Sequence, residues 1–318
     1  VSGVQGVERA VVTGVAGFIG SHLAEALMLQ GVNVVGIDRR SPSCDPMAAG
    51  NLENVLGRRG FQLVEGDLGE LDLGPLTEGA SVVFHLAGVP GVRPSWGERF
   101  GDYLASNVMA TQRLLEACVS TGVPRMVLAS SSSVYGNSVG RPSREEDLPF
   151  PLSPYGVTKL AAERLSLSYA VRQDTPLSVV ALRYFTVYGP RQRPDMAIGR
   201  VLRSVLTGHP LRLYGDGVQR RDFTYVGDAV AATMAASLAP AQAEVVNIGG
   251  GRSVSMLDVL ACAAQVTGRE VPVLRDARQL GDVDATEADL TRARDLLGYE
   301  PSTPLAEGMS QQWKWISS

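Results

Sequence analysis

Tyr155 and Lys159 stand four residues apart in the stretch SPYGVTKLAAERL, and Lys159 is one of only two lysines in a chain of 318 residues. Apart from the histidines, every other basic side chain is arginine. In a helix this spacing puts both side chains on one face. An ammonium beside a phenol favours phenolate, so the pair is expected to bring the tyrosine down from about 10 toward a working pH. Such a tyrosine can take a proton from a substrate hydroxyl while hydride leaves the same carbon. Arginine would serve this role poorly, because its forked cation is bulkier and is not a point charge. The plain alternative is a surface pair on an amphipathic helix. The serines Ser130, Ser131, Ser132 and Ser133 weigh against it. They follow an apolar strand at 125–129, where a parallel sheet presents groups to a ligand at its carboxyl edge. A hydroxyl there can hydrogen-bond the reacting oxygen and share its proton with the tyrosine.

The elements that must position these groups read as alternating strands and helices. Short β-branched apolar runs fall at 9–14, 33–38, 61–67, 81–88, 125–132 and 177–185. Helical stretches fall between them, notably 18–31, 103–121 and 153–173. That rhythm predicts an α/β chain with a doubly wound parallel sheet covered on both faces. Residues 1–185 are expected to form this nucleotide-binding domain, with segments returning from about 213–250. After residue 186 prolines and arginines cluster and the elements shorten, which predicts a smaller, interleaved C-terminal α/β substrate lobe over 186–318.

Between the first strand and first helix lies Gly14-x-x-Gly17-x-x-Gly20. Gly14 permits the tight turn, Gly17 lets backbone approach a pyrophosphate, and Gly20 lets helix and strand pack closely. Phe18 and Ile19 open the helix at the same place. Asp38 ends the second strand 18 residues past Gly20, where a carboxylate can accept from both ribose hydroxyls. A 2′-phosphate would be repelled there, so NAD is expected over NADP, although Arg39 and Arg40 stand beside it.

Composition excludes several other classes. Lys plus Arg is 29 against 33 for Asp plus Glu, a net charge of −4 with no basic tract, so no nucleic-acid partner is expected. The three cysteines, Cys44, Cys118 and Cys262, are widely spaced and lack a CxxC pattern. They suit a reducing cytoplasm, with no disulfide framework and no metal site. No apolar run reaches the ~20 residues that span a bilayer, and no secretory signal is seen, so no membrane partner is expected. His22, His85 and His209 show no partner pattern and are taken as structural.

Nearly the whole chain resembles the extended short-chain dehydrogenase/reductases that rework nucleotide sugars. The resemblance is carried by TGVAGFIGSHL, Asp38, EGDL (65–68), HLAG (85–88), SSSVYG (131–136), YGVTK (155–159) and RRDFTYVGD (220–228). It implies Ser131 as the catalytic hydroxyl beside Tyr155 and Lys159. It implies Asp67 and Leu68 at the adenine side of NAD, with Arg39, Leu86, Ala87 and Ser130 also against the cofactor. Arg221 and Arg278 would meet the substrate diphosphate, and Arg93 would touch sugar or phosphate. Such enzymes are usually homodimers that pair through helices like 103–121 and 153–173.

Several fates follow oxidation at C4 of the sugar. Dehydratases of this kind place Asp-Glu just after the catalytic hydroxyl, and UDP-glucuronate decarboxylases place Glu where Ser133 stands. Here Ser132 and Ser133 supply no carboxylic acid. Thr186 and the RPDMA run in RYFTVYGPRQRPDMA are similar to UDP-glucuronate 4-epimerases. Arg193 can fork a substrate carboxylate and Thr186 can donate to the same group. Holding that carboxylate in one orientation opposes its loss while C4 is a ketone. The alternatives are a decarboxylase, a neutral UDP-sugar 4-epimerase, a catalytically silent NAD sensor, and, for Arg193 itself, a simple ion pair with Asp195. The loop after Asp38, RRSPSCDPMAAGN, is shorter than in typical glucuronate epimerases and lacks their tyrosine.

Overall fold

The computed structural model describes Val4 and residues 6–137, 140–277 and 283–318. Its strands are β1 Arg9–Thr13, β2 Asn33–Asp38, β3 Phe61–Glu65, β4 Val82–His85, β5 Arg125–Ser131, β6 Ser178–Tyr184, β7 Thr186–Tyr188, β8 Leu211–Tyr214, β9 Arg220–Tyr225, β10 Ala243–Ile248, β11 Ser253–Ser255 and β12 Val273–Asp276. Seven of them form one sheet in the order β10-β6-β5-β4-β1-β2-β3. Every pairing within it is parallel. The chain leaves β1 in one direction through β2 and β3, then resumes on its other side at β4. The crevice above β1 and β4 is therefore the switch point where such sheets take ligands.

Alternation across the strands fills two cores. In β1, Val12 packs in a cluster with Leu23, Leu27 and Val230, whereas its neighbour Val11 packs in another with Leu114, Leu115 and Cys118. Successive side chains of a strand point to opposite faces, so one apolar run serves both layers. Full burial of each such side chain contributes about 1.5–3 kcal/mol. On one face the helices Phe18–Leu29 and Val226–Ala236 pack together, and on the other Ala110–Ser120 packs with Pro154–Ala170. The expected helix 103–121 is one continuous body with a π-helical stretch, Ala105–Met109, between Phe100–Leu104 and Ala110–Ser120.

The later chain interleaves differently from the sequence expectation. Strands β8 and β9, which lie in or at the edge of the stretch expected to return at 213–250, belong to smaller sheets, β12-β8 and β11-β9-β7. The return begins with the helix Val226–Ala236 and ends with β10 at the edge of the main sheet. Amphipathic helices Ala197–Thr207, Met256–Thr267 and Leu305–Ser317 surround the third core of Ile198, Val201, Val259 and Met309. Short elements carry too little periodicity to show from sequence which sheet they join.

Asp222 in β9 fastens these parts. It is fully buried, and its two oxygens accept from Gly250 N at 2.6 Å and Ala288 N at 3.1 Å. Burial pushes its carboxyl up to about 7, against the pull of those two donors. The folded state therefore holds a proton that the unfolded chain releases near pH 4. Stability from this group is greatest below that value and is lost as pH rises from about 4 to 7. Urea titrations across that window should show ΔG of unfolding falling by up to about 1.4 kcal/mol per pH unit from this residue. Asp222→Asn should flatten that slope; an unchanged slope would contradict the assignment.

Candidate active site

The switch-point crevice is a cleft of about 570 Å³. Its walls include Gly14, Gly17, Phe18, Ile19, Gly20, Asp38, Arg39, Asp67, Leu68, Leu86, Ala87 and Ser130 at the cofactor end, and Ser131, Tyr155, Lys159, Thr186 and Arg193 at the other. Gly14 takes φ 71°, and a methyl at Gly20 would run into the Gly14 carbonyl oxygen. Only glycine lets the first helix start this close to β1. Gly17 caps that helix without a side-chain hydrogen bond, which leaves the first-turn N–H groups and the positive dipole end to an anion. Asp38 Oδ2 accepts from Ala16 N at 2.9 Å and Oδ1 from Arg40 N at 2.9 Å. The carboxylate thus holds the glycine turn, and its oxygens keep lone pairs for ribose hydroxyls. Arg39 leans to Asp67 at 3.8 Å. This cradle fits a dinucleotide.

The helix Pro154–Ala170 begins with Ser153, whose hydroxyl accepts from Gly156 N at 3.1 Å, and with proline in its first turn. A side chain at Gly156 would meet the Ser133 carbonyl oxygen 2.6 Å away. The bare glycine lets the helix start lie against the serine run, and Ser131 and Tyr155 both line the cleft there. The Tyr103 ring meets Tyr155 edge-on, centroids 6.3 Å apart. The hydroxyl of Tyr103 donates to Pro90 O at 3.1 Å and Gly91 O at 3.0 Å, holding the loop that follows β4.

The electrostatics depart from the sequence expectation. Burial pushes the Tyr155 phenol above its usual value; Ser131 and Arg193 pull it down, and Tyr103 adds to the rise. Lys159 is not among the groups acting on it. Burial lowers the Lys159 ammonium to about 8, against the pull of Glu163. In the protein alone, burial thus works against charge on both the lysine and the tyrosine. The cationic field on the phenol comes from Arg193.

Behind Lys159 lies a buried ion pair. Arg183 in β6 and Glu163, both fully buried, meet through Nε to Oε2 at 2.9 Å and Nη2 to Oε1 at 2.6 Å. Ser130 Oγ donates to the same Glu163 Oε2 at 2.7 Å. Adjacent serines are thus divided: Ser130 serves the ion pair, and Ser131 lines the cleft, its hydroxyl accepting from Ser133 N at 3.1 Å. Sequence reasoning missed Glu163, although Tyr155, Lys159 and Glu163 repeat at four-residue spacing on one helix face. Asn107 was also missed. It lines the cleft from the π-helical stretch, accepts from Val89 N at 2.7 Å, and donates to Val89 O and Thr158 Oγ1, each at 3.1 Å.

Other expected residues lie elsewhere. Arg93 stacks on the Tyr214 ring at 4.5 Å and is not in the cleft wall. Arg221, also outside the wall, donates from Nη1 to Arg220 O at 2.8 Å. Arg278 lies outside the described residues. Arg193 forks Asp195, Nε to Oδ1 at 3.0 Å and Nη2 to Oδ2 at 2.9 Å. His85, in β4, is buried between Thr13 Oγ1 at 2.7 Å and Thr111 Oγ1 at 2.9 Å, and burial lowers it to about 3. His22 Nε2 lies 3.0 Å from Pro190 O.

The NAD dependent epimerase/dehydratase family matches residues 10–249, and the chain belongs to that family. It is 44% identical over 313 residues to an uncharacterized UDP-glucose epimerase, YtcB, of Bacillus subtilis, covering 98% of each chain. Among solved structures, MoeE5 in complex with UDP-glucose and NAD is 50% identical with TM-score 0.89, over 97% of this chain and 98% of that one. The UDP-glucuronic acid 4-epimerase of Bacillus cereus, in complex with UDP-glucuronic acid and NAD, is 41% identical with TM-score 0.91 over the same shares.

The helix start yields a direct check on this packing. Gly156→Ala should cost about 1–3 kcal/mol by overpacking against Ser133. Ser153→Ala should cost about 1 kcal/mol by loss of the cap. Both are read as urea midpoints at constant m, and a silent Gly156→Ala would show that the contact is slack.

Proposed function

We propose that the enzyme is an NAD-dependent UDP-glucuronate 4-epimerase, which interconverts UDP-glucuronate and UDP-galacturonate through a 4-keto sugar. The observation that carries this reading is Arg193: it lines the reactive end of the cleft near Thr186, and its charge acts on the Tyr155 phenol. A cation so placed suits a sugar whose C5 substituent is a carboxylate next to the reacting C4.

In this mechanism Tyr155 removes the proton from the C4 hydroxyl, and Ser131 hydrogen-bonds O4 and shares that proton. When bound, NAD would supply the hydride acceptor for oxidation at C4 and the hydride donor for return to the other face of the ketone. Lys159 would hold the cofactor ribose, and the positive charge of the oxidised nicotinamide would favour phenolate at Tyr155. Thr186 and Arg193 hold the carboxylate so that its C–C bond does not align for loss of CO2. Gly14, Gly17, Gly20, Asp38, Asp67 and Leu68 would hold the dinucleotide, and Arg93 and Arg221, which stand beyond the cleft wall, together with Arg278 are the candidates for the substrate diphosphate and sugar. The enzyme works in the cytoplasm as a homodimer. Leu104, Met109 and Val157, exposed apolar residues on the two helical faces expected to pair, support that assembly.

The neutral-sugar reading has one observation in its favour, the Arg193–Asp195 pair, which already satisfies the fork. An NMR time course with UDP-glucuronate and NAD separates the cases. A galacturonate anomeric signal with the carboxylate retained is expected; a pentose product or inertness would overturn the proposal. Tyr155→Phe should lower kcat by about 10²–10⁴-fold. Arg193→Gln should raise KM for UDP-glucuronate by about 10–100-fold, the worth of hydrogen bonds to a charged group, and should increase CO2 release.

A further inference from the structure

Arg193 sits on backbone that has little freedom. Before it, Arg191 holds φ 63°, outside the range most side chains adopt, and its Nη2 donates to Glu25 Oε1 at 2.6 Å. Gln192 is buried: its Nε2 donates to Val187 O at 3.0 Å, and its Oε1 accepts from Gly199 N at 2.9 Å and Gln312 Nε2 at 2.8 Å. Gln312, from the terminal helix, also accepts from Gly189 N at 3.0 Å. After Arg193, Met196 N donates to the Arg193 carbonyl at 3.2 Å. With the chain pinned on both sides, a rearrangement here would fall to the Arg193 side chain.

Its fork is engaged by a carboxylate two residues on. Asp195 takes both bonds in the geometry a substrate carboxylate would use. The Asp195 side chain is 65% exposed and that of Arg193 30%. Such a pair is weak, because water readily receives the released carboxylate.

We propose that Asp195 determines specificity by standing in for the substrate's carboxylate, occupying the Arg193 fork in the free enzyme and yielding it when a uronate enters. This inference rests on the UDP-glucuronate reading above. Two carboxylates cannot take the same pair of N–H groups, so a uronate that binds at the Nε–Nη2 edge must displace Asp195. A neutral hydroxymethyl group cannot compete with an anion for the fork. Towards neutral sugars Arg193 therefore stays paired with Asp195, which leaves selection to the incoming charge.

Calorimetric titration of the NAD-loaded enzyme tests this in a Tyr155→Phe background, where chemistry is suppressed. Adding Asp195→Asn should tighten UDP-glucuronate binding about two- to fivefold, the range expected from removing an exposed competing pair. Binding of UDP-glucose should not change, and Asp195→Glu should restore the weaker uronate binding. Weaker uronate binding in Asp195→Asn would show that Asp195 orients Arg193 instead. Equal tightening of both ligands would show a general charge effect. Either result overturns the proposal while leaving the epimerase reading standing. The two ideas fail together only if the NMR time course of the unmodified enzyme shows no epimerisation of UDP-glucuronate.

Discussion

The buried ion pair between Arg183 and Glu163 is the constraint on which the reactive end of the cleft depends. Neither side chain reaches solvent, so each relies on the other for its charge to persist. The fork is used fully: beyond Glu163, Arg183 Nη1 donates to Glu145 O at 3.3 Å, and the guanidinium stacks 4.6 Å from the Tyr135 ring centroid. Those contacts fix the helix Pro154–Ala170 in rotation against β5 and β6. Tyr155 and Lys159 are then carried to the cleft by the four-residue repeat of that helix. Replacing one partner would leave an unpaired buried charge, a loss of about 3–5 kcal/mol in comparable cases.

The same pair couples structure to chemistry. Glu163 is the charge that works against the burial of Lys159 and keeps its ammonium near 8. A compact amine suits this place, because it can be buried near a fully engaged guanidinium without competing for the same carboxylate oxygens. The phenol has the opposite problem, since burial favours its neutral form. The protein itself supplies only partial relief, through Ser131 and Arg193, and leaves the rest to the charge that an oxidised nicotinamide would bring. That division of labour suits a cofactor whose charge alternates within each turnover.

Much of the fold was legible because its strands are short, apolar and β-branched, and because Gly14, Gly17 and Gly20 stand between a strand and a helix. Strand β2 matches the expected run at 33–38 residue for residue. The later elements were less legible. β8, β9 and β11 are three to six residues long and give no period to follow, so their sheet partners depend on contacts far along the chain. Asn107 had no local signal at all, since its role arises from a π-helical stretch that turns its amide toward Val89. Glu163 had a signal in its spacing, but its partner Arg183 is on a strand that only the fold brings near.

The sequence by itself determined the dinucleotide cradle, the parallel sheet and the Tyr155–Lys159 face, because each follows from local spacing and from residue types that allow few conformations. The tertiary structure decided how the serines divide, which charge reaches the phenol, and where the fork of Arg193 rests. Those outcomes turn on burial and on partners distant in sequence. Desolvation raises the tyrosine where its spacing from a lysine suggests a fall, and the spacing of residues along a chain carries no measure of it.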